Sequence, residues 1–155
     1  MFGKEKSPFA TVVSAALDEA RERGDRRLGT EHLLLGLLRD PGSEPARALG
    51  VDLTGARAAL DELDREALRS LGLDLGEAPP RPTPRRHPAI PGTALTSSAR
   101  AAVNRAIRAT THKTRSTVPR HLLLALLDQD RHDPVSRLID QLGVDRAAVR
   151  ARVAG

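Results

Sequence analysis

Apolar residues follow the period of an α-helix along most of the chain, and no stretch alternates with period two. The first helical stretch places its apolar residues at Val12, Val13, Ala16, Leu17 and Ala20. Residues 33–38 then carry leucine at nearly every position, which predicts a buried central helix. The pattern therefore predicts an all-α protein without strands.

The helical pattern occurs twice. His32–Leu38 (HLLLGLL) returns 89 positions later as His121–Leu127 (HLLLALL), and Gly-Val-Asp at 50–52 returns at 143–145. An internal repeat of this kind determines the architecture before local propensity does. The sequence predicts two four-helix units, about eight helices in all, packed with pseudo-twofold symmetry.

Capping residues predict where individual helices begin. Ser7 followed by Pro8 is a typical helix start. Thr30 is predicted to cap the leucine-rich helix, and Asp52 and Asp145 to cap the fourth helix of each unit. Six prolines at 77–94 disfavour helix between the units. We therefore divide the chain into three segments: a first repeat at 1–74, a linker at 75–94 and a second repeat at 95–155.

Composition narrows the function classes. Aromatic residues make up 1% of the chain, which leaves few rings for a cofactor site or for base stacking. The absence of cysteine excludes a thiolate nucleophile and a cysteine-based zinc site. No apolar run approaches the length of about 18 residues that spans a bilayer, and the first residues lack a secretion signal. We expect a cytoplasmic protein that binds no membrane.

Charge is distributed unevenly, with a net −4 over residues 1–78 and a net +6 over residues 95–155. This asymmetry favours attraction between the halves or a polarised binding surface. A basic stripe that could neutralise nucleic-acid phosphates consists of Arg100, Arg105, Arg108, Lys113 and Arg115. Because no aromatic residues interleave with it and no DNA-reading motif is present, nucleic-acid binding is the weaker hypothesis.

Three motifs in order carry a family resemblance: F-x-x-V-V-x-x-A-L-x-E-A at 9–20, L-G-T-E-H-L-L-L-G-L-L at 28–38 and G-V-D at 50–52. They resemble the Clp N-terminal repeat, the double repeat at the front of ClpA-, ClpB- and especially ClpC-type AAA+ unfoldases. The resemblance extends over residues 1–153. It implies a domain that docks adaptors, captures substrates or regulates an unfoldase.

The chain has no G-x-x-x-x-G-K-[ST] phosphate loop and no room for an ATPase domain. It is therefore similar to a free-standing Clp N-terminal domain, and its ending at Ala154-Gly155 favours a natural standalone protein over an excised domain. We find no catalytic arrangement. We expect no enzymatic activity, no cofactor and no metal.

The resemblance to ClpC-type domains implies recognition of phosphorylated arginine. The glutamate of the G-T-E-H motif would meet the guanidinium group, near an upstream threonine at the start of the first helix. In the first repeat the motif supplies Thr30 and Glu31, and the upstream position falls on Lys6 or Ser7. The alternative for Glu31 is a purely structural acid that stabilises the helix dipole.

In the second repeat the upstream threonine matches Thr96, but Arg120 stands in place of the glutamate. A guanidinium group cannot pair with another, so this site is expected to be inactive towards phosphoarginine. Three alternatives are open for Arg120. It attracts anions such as phosphate or an acidic peptide, it pairs with Asp128 or Asp130, or it points into water.

Two further features have competing interpretations. His32 and His121 occupy equivalent positions, but no carboxylate or cysteine shares a ligand spacing with either, so we predict structural histidines held by hydrogen bonds. The resemblance also implies a surface for cyclic-peptide antibiotics near Phe2 and Leu95. A free-standing copy could then act as a decoy for such compounds.

Overall fold

The computed structural model describes residues 8–72, 94–110 and 118–154. These ranges form eight helices and contain no strand, which confirms the predicted all-α class. The helices are α1 (Pro8–Glu22), α2 (Thr30–Leu38), α3 (Glu44–Leu49), α4 (Leu53–Ser70), α5 (Ser97–Ala109), α6 (Val118–Leu127), α7 (Pro134–Leu142) and α8 (Arg146–Ala154).

Side-chain caps begin several of these helices. Asp52 accepts a hydrogen bond from Gly55 N at 2.6 Å, and Asp145 accepts one from Ala148 N at 3.2 Å, so both predicted caps are confirmed. The prediction for α2 was wrong. Gly29 is its N-cap, Thr30 is the first helical residue, and the Thr30 hydroxyl donates to Asp133 of the second repeat.

The packing obeys the predicted pseudo-twofold relation. Each substantial contact between two described helices has a counterpart when α1–α4 are exchanged with α5–α8. The contact of α2 with α7 corresponds to that of α6 with α3, and the contact of α4 with α7 corresponds to that of α8 with α3. The fourth helix of each repeat thus packs on the third helix of the other, and the two repeats share one core.

The central helices α2 and α6 are not equally buried. Leu35 in α2 is fully buried, whereas Leu124, its counterpart in α6, is half-buried. Gly36 allows α2 to approach α1 closely, since a Cβ atom there would lie 2.6 Å from the carbonyl oxygen of Val12. The corresponding residue of α6 is Ala125, which is also buried.

Glu19 is a buried acid that the sequence pattern did not reveal. Its side chain is 2% exposed and accepts two hydrogen bonds from Arg57, at 2.7 and 2.6 Å, and one from Arg39 at 2.6 Å. Burial alone would raise the pKa of Glu19, but the two guanidinium groups outweigh it and lower that pKa. This cluster joins α1, the end of α2 and α4.

A short backbone pairing joins the repeats. Leu28 N donates to Ala94 O at 2.8 Å, and Thr96 N donates to Leu28 O at 2.9 Å, which sets Leu28 and Leu95 side by side in parallel.

The predicted boundaries at 74 and 75 lie outside the described residues, so the division into repeats and linker stays a prediction. Within the described ranges, no helix is both long and apolar enough to cross a membrane.

Candidate functional site

A pocket of about 310 Å³ opens between the two repeats, beside the pairing of Leu28 with Leu95. Its walls come from the segment between α1 and α2, from α4 and from the start of α5. The lining residues are Arg23, Asp25, Arg26, Arg27, Gly29, Glu31, His32, Leu60, Asp64 and Thr96.

Glu31 is the least exposed acid of this pocket. Its side chain is 18% exposed and its carboxylate folds back over Gly29, where a Cβ atom would lie 1.8 Å from Oε1. Any residue other than glycine at position 29 would therefore displace the carboxylate. Glycine at position 29 is thus a geometric requirement of this site.

The charge of Glu31 is poorly compensated. Burial raises its pKa above the ordinary value, and the neighbouring Asp25 and Asp133 raise it further against the opposing effect of His32. In the described part of the chain no lysine or arginine lies within ion-pair distance of Glu31. A cationic ligand would supply the missing charge.

His32 holds the pocket wall in place. Gly29 N donates to Nδ1 of His32 at 2.9 Å, so the ring proton is on Nε2, which donates to Asp25 Oδ2 at 2.7 Å. The His32 side chain is 4% exposed. The prediction of a structural histidine is confirmed for His32, while His121 is half-buried. No cluster of three potential metal ligands occurs among the residues described.

Positive charge lines the same pocket. Arg23 donates to Asp61 at 2.7 Å and to Asp64 at 2.5 Å, while Arg26 and Arg27 are exposed at the rim. The pocket therefore offers both signs of charge to a ligand. Sequence reasoning missed these arginines, although the charged run at 21–27 directly before the G-T-E-H motif was a signal for them.

The structure regroups the predicted site residues. Thr96 caps α5, because its hydroxyl oxygen accepts a hydrogen bond from Ala99 N at 3.2 Å. Thr96 also lines the pocket of Glu31, whereas Arg120 does not. The sequence had assigned Thr96 to the second site together with Arg120. The pairing across the repeats explains the difference, because it carries the start of α5 to the start of α2.

Other predicted residues lie elsewhere. Thr30 is fully buried; its hydroxyl donates to Asp133 and accepts from Val135 N at 3.3 Å, so it ties α2 to α7 rather than facing the pocket. Leu95 is half-buried and packs against the core. The remaining predicted positions, Lys6, Ser7 and Phe2, lie outside the described residues.

Arg120 forms a two-point ion pair with the first repeat. Its Nε donates to Glu44 Oε1 at 2.5 Å and its Nη2 donates to Glu44 Oε2 at 2.9 Å, which lowers the pKa of Glu44. The suggested partners Asp128 and Asp130 were wrong. Asp128 instead accepts from Arg105 and Arg150, each at 2.7 Å.

The basic stripe is partly neutralised by these contacts. Arg105 pairs with Asp128, and Arg108 is exposed near the end of α5. Lys113 and Arg115 lie outside the described ranges. The described part of the stripe offers less unpaired charge than the sequence indicated, which weakens the nucleic-acid hypothesis further.

Part of the chain is similar in sequence to known Clp proteins. The chaperone protein ClpC1, chloroplastic, of Oryza sativa subsp. japonica is 37% identical over 68 residues, which cover 42% of this chain and 7% of that protein. The negative regulator of genetic competence ClpC/MecB of Bacillus subtilis (strain 168) is 44% identical over 55 residues, covering 34% of this chain and 7% of that protein.

The chain thus matches only about 7% of the length of each of these relatives. A family profile, that of the Clp repeat (R) N-terminal domain, matches residues 6–86, which is more than half of the chain. The matched range includes the Gly-Thr-Glu motif and the pocket residues of the first repeat. The chain belongs to the Clp repeat N-terminal domain family.

Proposed function

We propose that this domain is a non-catalytic protein-binding module of the Clp protease and unfoldase system. It recognises substrates or adaptors through the pocket around Glu31, with phosphorylated arginine as the recognised group. The observation that carries the proposal is a largely buried carboxylate that has no lysine or arginine partner among the described residues and lines a pocket between the repeats. Perturbed acids in clefts are typical of functional sites.

The chemistry of the pocket suits a ligand that carries both charges. The guanidinium group of the ligand pairs with the Glu31 carboxylate, and its phosphate lies towards Arg26 and Arg27 at the rim, with the Thr96 hydroxyl as a further donor. The bound guanidinium group supplies the positive charge that Glu31 lacks in the free protein. A ligand with only one of the two charges satisfies only half of the site.

The relatives are named ClpC or ClpA homologues, which supports a place in the Clp system. Action together with a ClpC-type unfoldase, and a cytoplasmic location, are parts of this proposal. A role as a decoy for cyclic peptides has less support, because Leu95 is half-buried in the core and Phe2 lies outside the described residues.

Isothermal titration with free phosphoarginine tests the proposal, with arginine and inorganic phosphate titrated separately. We expect phosphoarginine to bind more tightly than either, and Glu31→Gln to abolish the binding. Glu66→Gln is the matched control, because Glu66 is an exposed acid of α4 that does not line the pocket. Absence of binding at millimolar phosphoarginine, or unchanged binding by Glu31→Gln, overturns the proposal and favours competition for adaptors.

A further inference from the structure

The turns that follow α3 and α7 meet in a pocket of about 370 Å³, which we call the valine groove. It shares no lining residue with the pocket of Glu31. Both turns come from the repeated Gly-Val-Asp motif. The lining residues are Leu49, Gly50, Val51, Leu142, Gly143, Val144, Asp145, Ala148, Val149 and Arg152.

The valine groove has apolar walls from both repeats. Gly50 ends α3 and Gly143 ends α7, each with a φ angle of 69° that favours glycine. Val51 and Val144 follow these glycines in equivalent places, and both are half-buried against the core. Their remaining exposed surface is available to the apolar side chain of a ligand.

An arginine makes this symmetric groove charged on the side of α8. Arg152 is exposed, and its counterpart in α4 is Ala59. Its Nη1 donates to Ala48 O at 2.7 Å, which leaves further N–H groups of the guanidinium for a ligand. In the ranges that the structure describes, no carboxylate lies within ion-pair distance of Arg152. Asp145 also lines the groove, but it caps α8 by accepting from Ala148 N.

The backbone of the two turns decides which kind of carboxylate suits Arg152. The amides of Gly50, Gly143 and Val144 already donate to carbonyl oxygens of the chain, at 3.1, 3.0 and 3.2 Å. The terminal carboxylate of a peptide is typically held by a nest of free amides, which these three do not offer. The groove therefore suits an aspartate or glutamate side chain, whose carboxylate needs only the guanidinium.

We propose that the valine groove docks an internal segment of a partner protein in which a leucine or phenylalanine lies beside an aspartate or glutamate. The apolar side chain enters between Val51 and Val144, and the carboxylate pairs with Arg152. The net charge of +6 over residues 95–155 favours the approach of such an acidic segment. Because the two pockets share no residue, the domain can hold this partner and a ligand at Glu31 together.

Selection from a random library of displayed dodecapeptides tests the proposal, followed by titration of the enriched peptides with both ends blocked. We expect the enriched peptides to combine an apolar with an acidic residue. Arg152→Gln should lower their affinity at least about tenfold, because the carboxylate loses its partner. Ala148→Glu should abolish binding, since a glutamate four residues before Arg152 pairs with it along α8 and occupies the groove.

Matched controls lie on the same helices outside the groove. Arg137→Gln removes the same charge from an exposed position of α7, and Ala147→Glu adds the same acid at an exposed position of α8. Both should bind the selected peptides like wild type. If Ala148→Glu does not fold, Arg152→Gln still decides, because the Arg152 side chain is exposed.

Three results would overturn the proposal: no enrichment of acidic and apolar residues together, equal affinity for Arg152→Gln, or binding that needs a free terminal carboxylate. Self-association of the wild-type protein that Ala148→Glu abolishes would also overturn it, because a second copy would then fill the groove. Phosphoarginine titration of Arg152→Gln should match wild type, and a loss there would contradict the separation of the two sites. The proposed function at Glu31 stands or falls by its own titration.

Discussion

Glu31 of the first repeat and Thr96 of the second line the same pocket. They meet because the pairing of Leu28 with Leu95 carries the start of α5 to the start of α2. The pocket is thus a product of the assembled domain, and neither repeat builds it alone. A ligand bound between Glu31 and Thr96 therefore stabilises the junction of the repeats as well as occupying a site.

Gly29→Ala separates ligand binding from stability. The new Cβ atom would lie 1.8 Å from Oε1 of Glu31, at the far end of a flexible side chain that can turn away. We expect the free energy of unfolding to change by less than about 1 kcal/mol, since no backbone must move. Phosphoarginine affinity should fall at least about tenfold, because the Glu31 carboxylate loses its position. Retained affinity in a folded Gly29→Ala protein would contradict the assigned geometry.

Glu31→Gln should stabilise the protein at high pH. Glu31 has a pKa above its ordinary value of 4.5 in the folded state, so the folded protein holds this proton more tightly than the unfolded chain does. Stability therefore falls as pH rises through the window between the ordinary and the raised pKa. Thermal unfolding from pH 4 to pH 8 should show an advantage of Glu31→Gln that is largest at pH 8 and disappears near pH 4.

The ionisation of Glu31 should also determine how ligand affinity depends on pH. A guanidinium ligand pairs with the ionised form of Glu31, so its affinity should fall as pH drops through the raised pKa of that group. A variant that is more stable and yet cannot bind would show that Glu31 is kept for function at a cost in stability. A Glu31→Gln protein less stable than wild type at pH 8 would favour the structural interpretation of Glu31.

Much of the fold was predictable because the repeat and the caps are local signals. Asp52 and Asp145 begin helices as predicted, and the repeated leucine-rich segments form α2 and α6. The partners of charged groups were not predictable. Arg120 binds Glu44, which is 76 positions away, and nothing in local spacing distinguishes Glu44 from the nearer Asp128.

The site was predictable only in part for the same reason. The motif identified Glu31 correctly. Thr30 of the same motif instead donates a hydrogen bond to Asp133 in the other repeat, and these two residues are 103 positions apart. Thr96 was identified but grouped with Arg120, whereas it lines the pocket of Glu31. The residues that meet in a pocket between the repeats depend on how the two repeats pack together. The helical period of the apolar residues gives no information about that packing.

Leu35→Ala and Leu124→Ala should differ although the two leucines are equivalent in sequence. Leu35 is fully buried, so its truncation should lower the free energy of unfolding by about 2–5 kcal/mol. Leu124 is half-buried, and its truncation should cost roughly half as much, because less apolar surface returns to water. Urea unfolding of both variants measures the difference. Equal losses would show that α2 and α6 are buried alike.

Glu19→Gln should weaken the protein at neutral pH and make it less sensitive to acid. Glu19 is 2% exposed, and its bonds to Arg57 and Arg39 lower its pKa below the ordinary value of 4.5 despite burial. The cluster therefore contributes stability that is complete above about pH 4.5 and is lost as pH falls through the lowered pKa.

Loss of this carboxylate should lower the free energy of unfolding by about 3 kcal/mol at pH 7. This is the low end of the range for a broken buried ion pair, because the guanidinium groups of Arg39 and Arg57 are partly exposed and can be hydrated. The difference from wild type should shrink as pH is lowered below 4.5. Urea unfolding at pH 3, 5 and 7 measures it, with Glu66→Gln as the exposed control. A difference that stays constant with pH would mean that Glu19 contributes through packing and not through its charge.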